Sequence, residues 1–435
     1  MKYIDFLNST LNNKNDIAWN YYNRIIDTFD ILGGNRSKQF LYNYFCNGAK
    51  EGSFCLDGGF ATDFINEYFS AGGKGDALSF RFDEQRQLPE LRSRHTVSGF
   101  FFGLLIENCL SGVDTLRIRS FADFPFCYLW FLTYLYHDYG YCVAEREDGC
   151  GIKVPSEAPT PRCDRMNVQH CEYAALRKIK RELGIDLSIY SPKWHDGSDF
   201  NTPLSLANAL AMELTKNNRN SFPRIDFSNG AVIRGKQYTS KTTTRYFNYR
   251  VSEKNVDHGI VGGYLFYDRL VKNYIASFVA ALNDNGQVLD LNDFNYKGLH
   301  FGAEQIQIFS HIADCIISHN IWKQNDKNKE KYEKFMLTDL YGDKFKIISF
   351  ENNPILYILS LADTLEPTKV YRDVPYHQVV NAIEVEYIPG SRMITISSNS
   401  ERVDIERIHQ KARSLEDWTA AKCSKLKDGK FTLLI

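Results

Sequence analysis

Phe131-Leu132-Thr133-Tyr134-Leu135-Tyr136-His137-Asp138-Tyr139-Gly140 is an apolar, aromatic run that stops on an adjacent His-Asp pair. The hydrophobic pattern reads as a buried helix from about Phe124 to that pair. Neighbouring residues on a helix do not share a face. At a last turn, however, both side chains can reach one metal, and the Asp can bridge to a second. The same ten residues also describe a helix that merely finishes in two polar residues. What separates these readings is whether the rest of the chain supplies further ligands.

Other apolar segments carry the same kind of anomaly. Arg92 to Ile106 reads as a buried helix in which His95, Gly99 and Gly103 recur every four residues on one face. Two glycines beside a His allow another backbone to approach closely. Asp257 to Tyr267 repeats the design, with His258 opening an apolar helix that carries Gly259, Gly262 and Gly263. Ile306 to Trp322 is a further helix bearing His311, Cys315 and His319. His311 and His319 lie roughly 80° apart by helical geometry, so one is better placed than the other to face a common centre. Pro354 to Pro367 is an apolar helix with a single internal carboxylate before its last turn, Asp363. Burying that Asp unpaired is costly, and a metal or cation beside it would remove the cost.

One polar residue in an apolar helix is commonplace; the series His95, His137, Asp138, His258, His319 and Asp363 is not. Imidazole and carboxylate ligands suit divalent transition metals such as Fe, Mn, Zn or Co. A first metal fits His95, His137, Asp138 and Asp363. Asp138 then bridges to a second metal held by His258 and His319. Two such ions a few Å apart clamp a phosphate and generate a hydroxide nucleophile between them.

The remaining sequence frames this centre. Residues 1–85 read as a helical region, with Leu32-Gly33-Gly34-Asn35 as punctuation and Ala71 to Asp76 as a joint that does not fit a phosphate-binding loop. A long segment, 142–250, reads as an insertion with an exposed charged helix over Gln169 to Leu183. It ends in the basic, Thr/Tyr-rich stretch Pro223 to Arg250, whose alternation predicts strands. That stretch reads equally as a solvated surface or as a lid meeting a polyanion. Gln324 to Lys334 reads as a charged linker. Residues 371–435 read as a small α/β appendage, with a hairpin around Pro389-Gly390 and a helix from Val403 to Trp418. The fold expected is mainly α: a helical bundle spanning 86–370 around the metal site, with an inserted α+β region and that C-terminal appendage.

A formal net charge of −1 argues against a partner as polyanionic as long nucleic acid. The N-terminus lacks an apolar signal core, and no run spans a bilayer. The expected setting is therefore cytoplasmic, with the cysteines as reduced thiols. Cys142, Cys150, Cys163 and Cys171 lack the close pairs of a structural zinc site.

Taken together, Arg92-to-Thr96, His137-Asp138-Tyr139-Gly140, His258-Gly259, Ser318-His319-Asn320 and Leu361-to-Pro367 resemble the HD superfamily of metal-dependent phosphohydrolases. The order and style are similar to its two-metal branch, which includes HD-type diadenosine tetraphosphate hydrolases. The resemblance covers roughly residues 90–370. It implies that His95, His137, Asp138, His258, His319 and Asp363 are metal ligands, that Asp138 is central to catalysis, and that Arg92 meets a substrate phosphate. Many relatives carry a Lys three residues after the HD Asp; here Tyr141 stands there. Lys241 and Arg245 of the basic stretch are candidates to supply the missing charge. The expected activity is hydrolysis of a phosphoanhydride or phosphodiester bond of a small-molecule nucleotide through a metal-bound hydroxide. The substrate classes implied are dinucleoside polyphosphates, deoxynucleoside triphosphates and cyclic nucleotides. The alternatives are a metal-containing nucleotide sensor or scaffold without turnover, and a nuclease acting on short oligonucleotides.

Overall fold

The computed structural model of the chain describes residues 2, 90–111, 120–121, 124–138, 152–153, 232–233, 236–237, 249, 255–256, 258–260, 262–263, 266, 293–296, 299–321, 329–337 and 348–435. The readings made above for 1–85 (Lys2 apart), for Gln169 to Leu183, for the four cysteines between 142 and 171, and for Lys241 and Arg245 fall outside these residues.

Four helices build the core of the described part: α1 (Glu90–Ser111), α2 (Phe126–His137), α3 (Ala303–Ser318) and α4 (Pro354–Leu365). Helix α1 packs on α2 and α4, and α3 packs on α2 and α4. Their apolar content makes the burial favourable: Phe100, Leu104 and Leu105 of α1, Leu129 and Trp130 of α2, Ile312 and Ile316 of α3, and every residue of α4 are buried. Helix α4 has clear local causes. Asn353 caps it by accepting from the Leu356 N–H at 3.1 Å, and Pro354 occupies its first turn. Pro367 ends it.

The glycines of α1 do not serve the purpose their spacing suggested. A Cβ on Gly99 would overlap the Tyr134 ring, and one on Gly103 would overlap the Trp130 indole. Aromatic side chains of α2, rather than a neighbouring backbone, fill both notches. Trp130 is locked further by donating from Nε1 to the Phe100 carbonyl at 2.8 Å. Gly103→Val is therefore expected to destabilise the fold by about 1–3 kcal/mol or more through overpacking, read as a lower urea midpoint with an unchanged slope.

The expectation of a mainly α chain is overturned. Strand makes up 17% of the described residues against 55% helix, and a four-stranded antiparallel sheet organises the C-terminal part. Its strands are β1 (Ile383–Tyr387), β2 (Met393–Ser398), β3 (Lys422–Cys423) and β4 (Lys430–Leu434), in the order β3-β4-β2-β1. The α/β reading of the appendage also fails, because every pairing in this sheet is antiparallel. The β1–β2 hairpin lies where Pro389-Gly390 predicted it, with Ile394 opposite Tyr387 and Ile396 opposite Val385. Gly390 takes a left-handed φ of 74° in its turn. One helix, α5 (Ile405–Leu415), covers this region. Asp404 caps it, and Ile408, Ala412 and Leu415 form its buried stripe.

The sheet is fastened to the bundle at the end of α1. The N–H groups of Gly390 and Arg392 donate to the carbonyls of Asn108 and Cys109 at 3.3 and 3.1 Å. Helix ends leave such carbonyls without intrahelical partners, and here the hairpin turn supplies them. The segment read as a charged linker contains a short helix, Lys329–Lys334. In the basic stretch, Val232–Ile233 pairs antiparallel with Lys236–Gln237. Among the described residues no helix is long and apolar enough to cross a membrane.

Candidate metal centre

His95, His137, Asp138, His258, His319 and Asp363 come from five separate stretches of chain, and the helix packing brings them into contact. His95 lies in the second turn of α1 and Asp363 near the end of α4. The His95 Nε2 is 2.9 Å from Asp363 Oδ1, and His137 Nε2 is 3.3 Å from the same oxygen. Asp138 Oδ1 lies 3.5 Å from His137 Nε2 and 3.3 Å from His258 Nε2. His258 Nε2 in turn lies 3.3 Å from His319 Nε2. All six side chains are buried.

Two groups have the compactness of metal sites: His95, His137 and Asp138, and then Asp138, His258 and His319. Within each, one ligand atom per residue lies within 4.8 Å of the others. These buried His and Asp groups could hold a metal ion. Asp138 belongs to both groups, and Asp363 stands against two members of the first.

The histidines are oriented alike. His137 ends α2 and points Nδ1 at the Tyr134 carbonyl, 2.5 Å away. His319 follows α3 and points Nδ1 at the Ile316 carbonyl, again at 2.5 Å. Both use the i−3 carbonyl that a helix terminus leaves available. An Nδ1–H donated there leaves the Nε2 lone pair directed at the centre, the tautomer a metal ligand requires. His95 achieves the same orientation through Glu366, whose Oε2 is 3.1 Å from its Nδ1. His319 Nε2 lies 3.3 Å from His258 Nε2, a separation at which one cation can be bound by both nitrogens, so the donor set fits a metal.

The electrostatics follow from burial and near neighbours. Burial, together with His258 and His137 nearby, pushes the His319 pKa down to about 3, which keeps its imidazole neutral. For Asp363, burial favours the neutral acid, but Lys369, His137 and His95 outweigh it and hold the carboxyl well below the usual range. For His95, burial and Lys369 favour the neutral ring, and the hydrogen bonds to Asp363 and Glu366 outweigh them, so its pKa is raised.

The supporting residues escaped the sequence reading. Glu366 accepts from Ser98 Oγ at 2.6 Å, from the Thr368 N–H and hydroxyl at 2.8 and 2.7 Å, and from the Lys369 N–H at 2.8 Å. Lys369 Nζ meets Asp363 Oδ1 at 2.5 Å. A signal existed: Ser98 and Glu366 each follow a residue of the cluster, His95 and Asp363, by one helical turn. Asn320, next to His319, places its Nδ2 3.0 Å from His258 Nε2.

His258 begins a helical stretch with Gly259 behind it, as its spacing predicted. A Cβ on Gly263 would meet the Ala313 carbonyl oxygen at 2.7 Å and Ile317 Cγ1 at 2.5 Å. Here glycine does let a helix backbone approach closely, bringing His258 to His319. Arg92 falls in the first turn of α1.

His311 is set apart from the two groups. It lies 3.8 Å from Cys315 Sγ inside α3, and burial lowers its pKa to about 3. His311→Leu is accordingly expected to leave the metal-to-protein ratio at the wild-type value by elemental analysis. No family model, no curated protein and no solved structure matches the chain.

Proposed function

We propose that this chain is a metal-dependent phosphohydrolase of the HD kind, acting on a phosphoanhydride or phosphodiester bond of a nucleotide. The observation that carries the proposal is the membership of Asp138 in both ligand groups. A carboxylate shared between two triads is what a two-ion centre needs, because it fixes the spacing of the ions.

In this reading His95, His137 and Asp363 would hold one ion, His258 and His319 would hold the other, and Asp138 would contribute to both. Two divalent cations of the Fe, Mn, Zn or Co type would supply Lewis acidity toward a phosphoryl oxygen and an acidified water. The chain contributes position and charge. The Tyr134 and Ile316 carbonyls fix the rings of His137 and His319, and Glu366 fixes His95. Asp138 and Asp363 provide two carboxylates against two divalent ions, so the loaded centre has a formal surplus of positive charge. That surplus favours an anionic substrate. Arg92, one turn before His95, is proposed to meet a phosphate.

The test is elemental analysis of purified protein together with a nucleotide panel, with Mn, Fe, Co or Zn added. Two equivalents of metal and released product are expected, both lost in His137→Ala. A panel without product, with His137→Ala indistinguishable from wild type, would end the proposal. Thermal shift by a nucleotide without product would mark a sensor, and degradation of short single-stranded DNA or RNA a nuclease.

A further inference from the structure

We propose that Lys369 is the cation that receives a substrate phosphoryl group at this centre, an assignment that rests on the phosphohydrolase reading. Lys369 belongs to the short helix Pro367–Val370, which follows α4 directly. Its Nζ lies 2.5 Å from Asp363 Oδ1. That same oxygen lies 2.9 Å from His95 Nε2 and 3.3 Å from His137 Nε2. The Lys369 side chain is 44% exposed, whereas that of Asp363 is 8% exposed. The amine therefore reaches a buried ligand carboxylate from the solvent side, the side from which a substrate arrives.

The backbone beneath it is fixed. The Lys369 N–H donates to Glu366 Oε2 at 2.8 Å, and Thr368 binds the same carboxylate through its N–H and its hydroxyl. Glu366 also holds Ser98 and His95. One carboxylate thus positions a metal ligand and the lysine beside it.

An ammonium and a divalent ion compete for Asp363 Oδ1, because two positive charges on one oxygen repel. When an ion is bound by Asp363, Lys369 gives up that oxygen. Its flexible four-carbon stem lets Nζ move a few Å while the backbone stays in place. The nearest new negative charge is then an oxygen of a phosphoryl group bound at the centre, and lysine binds phosphate as a compact point charge. The salt bridge to Asp363 holds the ammonium beside the centre at which that group binds.

Inorganic phosphate titrated calorimetrically into Mn-loaded wild type, Lys369→Gln and Lys369→Arg tests this, with metal content measured on the same samples. Lys369→Gln is expected to keep the wild-type metal content and bind phosphate about tenfold more weakly, with a shallower salt dependence. Lys369→Arg is expected to recover most of the loss. Wild-type phosphate affinity in Lys369→Gln would overturn the assignment while leaving the phosphohydrolase reading intact. So would loss of metal from Lys369→Gln with phosphate binding restored by excess Mn, since Lys369 would then only support Asp363. A wild-type protein that holds metal, binds no phosphate and turns over no nucleotide would overturn both.

Discussion

Asp138→Asn is expected to lower metal content and abolish phosphohydrolase activity together. The substitution keeps the side chain's size and removes its charge. Asp138 Oδ1 is the atom that faces His137 Nε2 at 3.5 Å and His258 Nε2 at 3.3 Å, one from each ligand group. An amide there is a poor ligand for one divalent ion and a poorer bridge for two. Bound metal should fall from two equivalents to one or fewer, and turnover by roughly three orders of magnitude or more. Stability gives an independent readout. An ion at about 100 times its dissociation constant stabilises the folded chain by about 2.7 kcal/mol. The rise in Tm on adding Mn should therefore shrink in Asp138→Asn, while the metal-free Tm moves less. Two full equivalents of metal with lost activity would show that Asp138 acts on the substrate rather than on the spacing of ions.

The six clustered His and Asp residues were legible because they violate their surroundings. A His or Asp inside an apolar helix stands out from sequence alone, and its position fixes which helix end or face it occupies. The sequence reading took His319 rather than His311 into the set, although helical spacing alone does not say which of the two faces the centre. The distinction depends on where α3 stops, since His319 follows its last residue and can fold back on Ile316. Glu366 was hidden for the opposite reason. A Glu before Pro at a helix boundary reads as an exposed cap, and only the packing of α1 on α4 buries it. The glycines of α1 announced a notch but not its occupant, because spacing says nothing of which neighbour fills it.

The sheet was missed for want of local signal. The hairpin β1–β2 has a turn at Pro389-Gly390 and alternating apolar residues, so it could be read. The strand β4 has only Phe431 and Leu433 facing inward, and β3 has two residues, too few for any period. Their placement depends on pairing at long range, with Ile394 opposite Leu433 and Ile396 opposite Phe431. Nothing within 422–434 alone specifies that β4 lies between β3 and β2.

Glu366→Ala is expected to be the most damaging change outside the ligand set. The carboxylate is fully buried. It accepts from Ser98 Oγ, the Thr368 N–H and hydroxyl, and the Lys369 N–H, and it faces His95 Nδ1. Each buried donor left without an acceptor costs about 1–3 kcal/mol, and these losses do not simply add, since water can enter the space vacated. A destabilisation of about 3–5 kcal/mol is the expected scale, by analogy with removing one partner of a buried charged network. Metal binding should weaken as well, by about 10–100-fold, because His95 loses the group that fixes its ring. Glu366→Gln separates the two effects. It keeps the volume and one acceptor oxygen but turns an NH2 toward donors, so stability should recover in part. Metal affinity should recover only if the remaining oxygen faces His95. Urea unfolding of metal-free protein measures the first effect, and competition with a chelator measures the second. Ser98→Ala is the control: it removes one of the hydrogen bonds to Glu366 and leaves His95 held, so it should cost about 1 kcal/mol with metal affinity unchanged. If Glu366→Ala unfolds as wild type does and binds metal as tightly, this carboxylate supports neither the fold nor the centre.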